Sequence, residues 1–157
     1  MSDNEVQNSE DQQGVGALPI EIATQYVKDM SFENPNAPEV YGKLQSPPQI
    51  AVNVNVEARR LKQENSYEVS LIINATAKDG DSAVFIAELT YAAVVLLGEL
   101  PQDAIQPFLL IEVPRLLFPF ARNIISDATR DGGFPPLMIN PVDFVALYKA
   151  GMAKDAS

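Results

Sequence analysis

The stretch "RLLFPFARNII", Arg115–Ile125, decides what kind of fold this chain forms. Its apolar residues recur with the period of an α-helix, yet a proline stands between two phenylalanines in its middle. From position 108 to position 125 the only charged or strongly polar residues are Glu112, Arg115, Arg122 and Asn123. Since a helix with one face in solvent carries far more polar side chains, the sequence predicts that this helix is covered on more than one side.

The helix predicted around this stretch begins near Asp103 and ends at "RDGG", where Gly132 or Gly133 can adopt the left-handed cap conformation. Its period places apolar residues on two stripes. The first stripe comprises Leu109, Val113, Leu116, Phe120, Ile124 and Ala128, and the second comprises Ile111, Phe118 and Ile125. A proline inside a helix costs about 3 kcal/mol or forces a kink. Each buried Leu or Phe stabilises the fold by about 1.5–3 kcal/mol, so burial of several of them outweighs the kink.

Two arrangements would accommodate this kinked helix. In a monomer it would be a core helix, and its second stripe would remain exposed. In a homo-oligomer, helices of different subunits would pack against each other, and we favour this arrangement because it covers both stripes. The residues predicted at the oligomer interface are Leu116, Phe118, Phe120, Ile124 and Ile125.

Upstream of the helix, the apolar pattern has the period of a β-strand. From Ile50 onward alternate residues are apolar, and "SYEVSLIINATAK", which starts at Ser66, repeats the alternation. "AVFIAELTYAAVVLLGEL", which starts at Ala83, is apolar on both faces. Its position directly after the turn "KDGDS" favours a further strand of an antiparallel meander. "IEIATQYV", Ile20–Val27, is typical of a short strand.

Strands followed by helices predict an α+β fold, with a four-stranded antiparallel sheet and with one long kinked helix and a short C-terminal helix on one side. The short helix is predicted at "PVDFVALYKAG", Pro141–Gly151, from its initial Pro, its early Asp and its final Gly. Between the first two strands, Ser31–Gln49 contains four prolines and two asparagines, so we expect a long loop without regular structure. Loops of this length in compact domains usually have a function.

Composition excludes several classes of function. The chain has 157 residues and a formal net charge of −10, which would repel nucleic acid and anionic membranes. It contains no Cys and no His, so disulfides, thiolate chemistry and the commonest general base and metal ligand are excluded, and catalysis would have to rest on carboxylates, Lys or Tyr. We expect no metal site, no cofactor and no enzymatic activity. Residues 1–17 are interpreted as a disordered acidic arm rather than a signal peptide, and residues 151–157 as a flexible tail. Since no apolar run approaches the length of a membrane span, a soluble cytoplasmic protein is expected.

Four motifs resemble those of the SecB family of bacterial protein-export chaperones, namely "KDMSFENPNAP", "LLFPFAR", "GFPPL" and "NPVDFVALY", in this order after an acidic arm. The resemblance runs from about Tyr26 to Tyr148, within a chaperone domain of residues 18–150. It implies a homotetramer, a dimer of dimers with the long helices sandwiched between the dimers. It also implies a chaperone that binds unfolded preproteins without ATP, keeps them competent for translocation and delivers them to the SecA motor ATPase.

The resemblance also implies a surface that meets SecA. Asp29 and Glu33 in "KDMSFE", and Ile86 and Glu88 in "FIAEL", match family positions on an acidic face that binds this motor. The alternation of a strand places Ile86 and Glu88 on the same face. Without the family match, each of these acids would be interpreted as an ordinary solvated side chain.

A receptor for unfolded chains needs exposed apolar grooves that tolerate many sequences. The candidates are Tyr41 and Leu44 in the proline-rich loop, Ile50, Val52 and Val54 on one face of the next strand, and Tyr148 in the last helix. In the family that the chain resembles, matching positions are associated with the peptide groove. The alternative for the three strand residues is an ordinary core face. Because each contact contributes only a few kcal/mol, affinity should rise with the length of the client.

Three other functions remain as alternatives. A SecB-like chaperone can protect the antitoxin of a toxin–antitoxin system, but such proteins bear an added tail, and only "KAGMAKDAS" follows the last helix here. An enzyme would have to use Asp79 and Asp81, or Asp127 and Asp131, and nothing in the sequence brings either pair to a base. A non-enzymatic oligomeric adaptor would explain the apolar helix but not the long loop.

Overall fold

The structure, a computed structural model, describes residues 20–155. Within this range the chain forms one antiparallel sheet, whose strands lie in the order β1-β4-β3-β2. The strands are β1 Ile20–Glu33, β2 Gln49–Arg60, β3 Ser66–Asp79 and β4 Ser82–Leu97. The helices are α1 Val40–Lys43, α2 Gln102–Pro107, α3 Val113–Asp131 and α4 Phe144–Asp155, with a π-helical turn at Phe108–Glu112 that joins α2 to α3. The α+β prediction is thus confirmed, whereas the arm predicted at residues 1–17 lies outside the described residues.

The sheet contains the predicted meander, because β2, β3 and β4 are joined by consecutive hairpins. Strand β1 lies beside β4 and is longer than predicted, since its pairing with β4 continues to Glu33, opposite Ile86. Gln49 also belongs to a strand, and α1 forms a single turn within the crossover. The predicted irregular loop Ser31–Gln49 is therefore too long at both ends. Its prolines exclude a strand only from position 35 onward, which leaves the preceding residues free to pair.

The core lies between the helices and one face of the sheet, here called the inner face. The six residues that the alternation of β3 placed together, Tyr67, Val69, Leu71, Ile73, Ala75 and Ala77, are all buried. Leu89, Ala93 and Val95 of β4 are buried beside them under Leu117, Ala121 and Ile125 of α3. In the described part of the chain, no helix packs on the opposite, outer face of the sheet. The two faces of the sheet are therefore available for different tasks.

The long helix departs from regular α-helical hydrogen bonding at the π turn and not at Pro119, which lies inside α3 on an exposed side. In the π turn the N–H of Val113 donates to the carbonyl oxygen of Phe108, five residues back. One extra residue in this turn shifts all later residues by one position relative to a regular helix. Leu117, Ala121 and Ile125 are consequently buried, whereas Leu116 and Phe120 are exposed. The residues of the first predicted stripe therefore do not share one face: Val113 is buried, but Leu116 and Phe120 are exposed.

Both helix ends near the candidate site have clear local causes. At the end of α3, the N–H groups of Gly133 and Phe134 donate to the carbonyl oxygens of Arg130 and Thr129, and Gly133 has a φ of 88°. This is the left-handed cap that the sequence predicts. At the start of α4, a side-chain oxygen of Asp143 accepts a hydrogen bond from the N–H of Ala146 at 3.0 Å, so Asp143 is the cap and not a residue of the first turn.

The last helix also continues beyond its predicted end at Gly151, to Asp155. Gly151 is not among the glycines with a positive φ, so it continues the helix instead of capping it. Residues 151–155 of the predicted tail are therefore helical.

The 30-residue segment Gln102–Asp131 is long and apolar enough to cross a membrane when length and composition alone are considered. Its inner side nevertheless packs on the sheet, where Leu117 and Ile125 are fully buried. One helix of this kind is weak evidence for a membrane span, since core helices of soluble proteins pass the same test.

Candidate functional site

An aromatic cluster lies where the crossover between β1 and β2 passes the end of α3. The Tyr41 ring packs against Phe134 at 5.5 Å, Phe134 against Phe85 at 5.3 Å, and Phe85 against Phe32 at 5.8 Å between ring centroids. Of the four rings, that of Tyr41 is the most open to solvent, since the residue is 47% exposed. Leu44, predicted to line the groove, is half-buried against the same cluster. Tyr41 thus covers a cluster of buried rings at the protein surface.

The hydroxyl group of Tyr41 fixes this ring. It donates a hydrogen bond to the carbonyl oxygen of Gly132 at 2.6 Å and accepts one from the side-chain amide of Asn34 at 2.7 Å. A side chain at Gly133 would approach the Tyr41 ring to 3.0 Å, so glycine is required there both for space and for its positive φ. The motif "GFPPL" therefore acts locally, because it supplies both the space for Tyr41 and the ring of Phe134 beneath it.

The face of β2 that bears Ile50, Val52 and Val54 is the inner face, since these residues lie opposite Ala77, Ala75 and Ile73 of β3. The helices do not extend over its first part, and Ile50 is 42% and Val52 36% exposed. Val54 is half-buried against the main core. The alternative of an ordinary core face is therefore wrong for Ile50 and Val52 within the described chain, because no helix reaches them.

The apolar surface of β2 ends at a cleft under the last helix. This cleft has a volume of about 520 Å³ and is lined by Val54 and Val56 of β2, Leu110 of the π turn, and Leu147, Tyr148 and Met152 of α4. The structure therefore brings Val54 and Tyr148 together in one cleft. Ile50 lies opposite Ala77, which belongs to the same cluster as Phe85 and Phe134. We use the name groove for the apolar surface made up of Tyr41 and Leu44 at the crossover, Ile50, Val52 and Val54 on β2, and Tyr148 in the cleft.

Sequence reasoning missed several residues of the groove. The aromatic cluster under Tyr41 consists of Phe32, Phe85 and Phe134. The cleft at the other end is completed by Leu110 and Met152. Phe32 lies in the predicted loop and Phe134 follows the predicted end of the long helix, so no periodic pattern marked them. The available signal was their position inside the motifs "KDMSFENPNAP" and "GFPPL".

The four residues predicted to bind SecA lie together on the outer face of the sheet. Glu33 is directly opposite Ile86, and Glu88 is opposite Ser31, two residues along each strand. Asp29 is opposite Thr90, which again lies two residues further along β4. Cross-strand partners share a face, so the three carboxylates and Ile86 form one surface. Within residues 20–155 none of these three carboxylates has an ion-pair or hydrogen-bond partner.

A β-bulge at Lys28 decides the position of these acids. Val27 pairs with Tyr91 and Asp29 with Thr90, so Lys28 has no partner position of its own on β4. Before the bulge, Val27 faces the inner side, and after it Met30 and Phe32 do so. Without the extra residue, strict alternation would turn Asp29 and Glu33 to the inner side. The sequence alone shows no such bulge.

Beside the acidic surface, the outer face carries a buried ionic network centred on Glu68. Its carboxylate accepts hydrogen bonds from Lys28 Nζ at 2.7 Å, from Arg59 Nε at 2.9 Å and from the hydroxyl group of Tyr26. The bond from Lys28, followed by that from Tyr26, lowers the pKa of Glu68 from 4.5 to about 2. Burial, and then the bond to Glu68, raises the pKa of Tyr26 from 10.0 to about 12. The network connects β1, β2 and β3 across the sheet.

This network predicts how stability depends on pH. Because the folded protein depresses the pKa of Glu68, its contribution is complete above pH 4.5 and is lost as the pH falls toward about 2. The pKa of Tyr26 is raised, so its contribution to stability has the opposite pH dependence. It is complete below pH 10 and is lost as the pH rises toward about 12. We expect Glu68→Gln to lower the free energy of unfolding at pH 7 by about 1–3 kcal/mol, less than the full pKa shift because Lys28 and Arg59 are exposed.

This effect is measured by urea unfolding of the unmodified protein and of Glu68→Gln at the same protein concentration, at pH values from 7 down toward about 2. The difference between them should shrink as the pH falls below 4.5. Glu57→Gln is the matched control, since Glu57 is an exposed acid that faces the same side from β2. Equal losses for the two variants would contradict the assignment.

The predicted oligomer interface divides into two groups. Leu116 and Phe120 are 45% and 52% exposed, and Ile124 is half-buried. With Pro119 and the exposed Met138 they form an apolar surface that we call the helix patch. Phe118, by contrast, is only 7% exposed and packs edge-on against Phe144 at 6.1 Å, and Ile125 is fully buried. The prediction is therefore wrong for Phe118 and Ile125, which lie in the subunit core because of the phase shift at the π turn.

The two pairs of aspartates considered for catalysis lie in separate parts of the fold. Asp79 and Asp81 flank the hairpin between β3 and β4. Asp127 and Asp131 both pair with Arg130, at 3.2 and 3.6 Å. Among residues 20–155 no group of three or more carboxylates is placed to hold a metal ion.

Known proteins are similar in sequence to this chain over nearly its whole length. The family model for SecB, preprotein translocase subunit SecB, matches residues 11–155. The protein-export protein SecB 1 of Gluconobacter oxydans is 50% identical over 164 residues, which cover 98% of this chain and 95% of that protein. The protein-export protein SecB of Maricaulis maris is 51% identical over 141 residues, which cover 90% and 81%.

Among solved structures, a SecB-like chaperone of Mycobacterium tuberculosis in complex with a peptide from an antitoxin has the same fold. The two chains align with a TM-score of 0.65 at 14% sequence identity, over 79% of this chain and 91% of that one. Fold, motifs and relatives agree, and the chain belongs to the SecB family of protein-export chaperones.

Proposed function

We propose that this chaperone binds unfolded preproteins in the groove, holds them without ATP and delivers them to the SecA ATPase. The observation that carries this proposal is the exposure of the apolar side chains Tyr41, Ile50 and Val52 on an acidic protein. Exposed apolar surface of this kind marks a binding site in a soluble protein. A groove lined mainly by apolar side chains suits clients of many sequences, because apolar contacts do not depend on one arrangement of polar groups.

The dimensions of the groove explain why long clients should bind best. Residues 50–54 of β2 extend over only about 13 Å, so one groove holds only a few side chains of an extended client. Each such contact contributes at most about 1.5–3 kcal/mol. Tight binding then needs one client to occupy the grooves of several subunits in succession.

A tetramer would provide these grooves. The helix patch exposes Leu116 and Phe120 on a helix whose other side is already buried in its own subunit. A second copy of the chain is the occupant that this proposal assigns to the patch, because a patch on a long helix can pair with itself about a two-fold axis. The long helices would then lie between two dimers.

The acidic surface of Asp29, Glu33 and Glu88 is the proposed contact with SecA. Exposed ion pairs contribute only about 0–1 kcal/mol each. Three acids would therefore orient and steer a basic partner surface, while Ile86 between them adds an apolar contact. Binding should weaken as salt is added.

We assign no catalytic step to the chain and place it in the cytoplasm. Preproteins are unfolded on that side before export, and a net charge of −10 disfavours adsorption to anionic lipid. Asp127 and Asp131 are paired with Arg130, and among residues 20–155 no group of three or more carboxylates is placed to hold a metal ion.

Chaperoning of an antitoxin is the second candidate. It is favoured only by the shared fold with the mycobacterial chaperone, at 14% identity. The relatives at about half identity are named protein-export proteins. We therefore prefer preproteins as clients.

Size-exclusion chromatography with light scattering tests the proposal. The protein alone should have the mass of a tetramer, and without nucleotide it should gain one chain of an unfolded precursor but none of the folded form. Adding SecA should give a ternary complex at low salt. A monomer, or an oligomer indifferent to unfolded chains, would overturn the proposal.

A further inference from the structure

The bulge in β1 creates an electrostatic problem for the acidic surface. It places Lys28 and Asp29, with opposite charges, side by side opposite Thr90 on the outer face. A lysine ammonium on a flexible stem can reach a neighbouring carboxylate. If Lys28 paired with Asp29, it would neutralise one of the three acids and occlude its oxygen atoms.

Glu68 prevents this pairing in the structure. It lies on the same outer face, directly opposite Arg59 of β2. Its side chain is only 7% exposed, and one of its oxygens accepts from both Lys28 and Arg59. The other oxygen accepts from the hydroxyl group of Tyr26. The Lys28 ammonium is thus paired with a carboxylate of β3, and no acid of the trio has a basic partner in the described chain.

We propose that Glu68 is a positioning residue for the SecA contact, because it withdraws Lys28 from Asp29, Glu33 and Glu88 and so leaves these acids free for a basic partner. The inference rests on the proposed role of the three acids. It concerns orientation of charge on the surface and requires no contact between Glu68 and SecA.

A double-mutant cycle tests the inference with purified SecA as the probe, by titration calorimetry at low salt. Glu68→Gln should weaken SecA binding about fivefold, since residues in one ionic network are commonly coupled to this extent. Lys28→Met alone should change the affinity little, because Lys28 is already sequestered. The double variant Lys28→Met, Glu68→Gln should recover the affinity of the unmodified protein.

The Lys28→Met variant and the recovery in the double variant together separate positioning from two simpler effects. If Glu68 acted only through its negative charge, the double variant would recover by simple additivity, but Lys28→Met alone would strengthen binding. If Glu68→Gln weakened binding only because it destabilises the folded protein, the additional loss of Lys28 would not restore stability, and the double variant would bind as weakly as Glu68→Gln. Tyr26→Phe weakens the network but leaves Glu68 and Lys28 paired, so it should not change SecA affinity. Glu57→Gln removes a charge from the same face and should also be neutral.

One further variant distinguishes failure of the inference from failure of the proposed function. Replacement of Asp29, Glu33 and Glu88 by their amides should abolish most SecA binding. If that variant binds SecA normally, the proposed contact is wrong. If it loses binding while Glu68→Gln does not, or while the cycle is additive, only the positioning role of Glu68 is overturned.

Discussion

Phe120→Asp is expected to dissociate the proposed tetramer while the subunit remains folded. Phe120 is 52% exposed in the isolated subunit, where it packs only partly on Tyr91, at 6.4 Å between ring centroids. In a symmetric assembly every copy would place a carboxylate into an apolar interface, where burial of an unpaired charge is strongly unfavourable. We expect the dissociation constant to rise at least about 100-fold, or about 3 kcal/mol. Light scattering across a concentration series measures it.

Phe118→Asp is the matched control on the same helix. Phe118 lies in the subunit core against Phe144, so the same substitution there should unfold the subunit rather than separate subunits. Circular dichroism distinguishes a folded dissociated species from an unfolded chain. If Phe120→Asp retained the tetramer, the helix patch would not be the interface. If it unfolded the chain, the exposed position of Phe120 would be in error.

The second large effect is expected in the groove. Replacing Ile50 and Val52 together with aspartate should weaken binding of an unfolded precursor by about ten- to a hundredfold, since two apolar contacts of about 1.5–3 kcal/mol at most are lost. The free energy of unfolding should change far less, because both side chains are already largely exposed. Fluorescence anisotropy of a labelled, slow-folding precursor reports the affinity, and urea unfolding reports the stability.

The control adds the same two charges to the same strand. Ala51 and Asn53 are exposed and point to the outer face of β2. Their double replacement with aspartate should leave client binding unchanged. Equal loss in the two double variants would show that net charge, and not the groove, governs capture. Loss in neither would remove Ile50 and Val52 from the site.

Much of the candidate site could be predicted because its residues lie in elements with a strong local signal. The alternation of β2 put Ile50, Val52 and Val54 on one face, and the structure confirms that they share it. Alternation could not show whether helices cover that face. The aromatic cluster was inaccessible to sequence reasoning because Phe32, Phe85 and Phe134 come from three distant segments. Their proximity depends on the crossover and the end of α3.

Two irregularities could not be predicted from the local sequence. The π turn at Phe108–Glu112 adds one residue, so Phe118 and Ile125 rotate into the core while Phe120 remains outside. The bulge at Lys28 adds one residue to β1 and turns Asp29 and Glu33 to the outer face. Both insertions change a period by one residue, and nothing local requires them. Packing decides them, because the resulting phase buries Leu117 in the core and packs the half-buried Phe32 against it.

The sequence by itself determined the α+β class, the strand and helix order, the left-handed cap at the end of α3 and the lack of cysteine and histidine chemistry. These depend on residue type and on local period, which act over a few neighbours. Tertiary structure alone decided which apolar residues stay exposed, which face each acid occupies and how Glu68 holds Lys28. Those properties depend on contacts between residues far apart in the chain, where a shift of one position exchanges inside and outside.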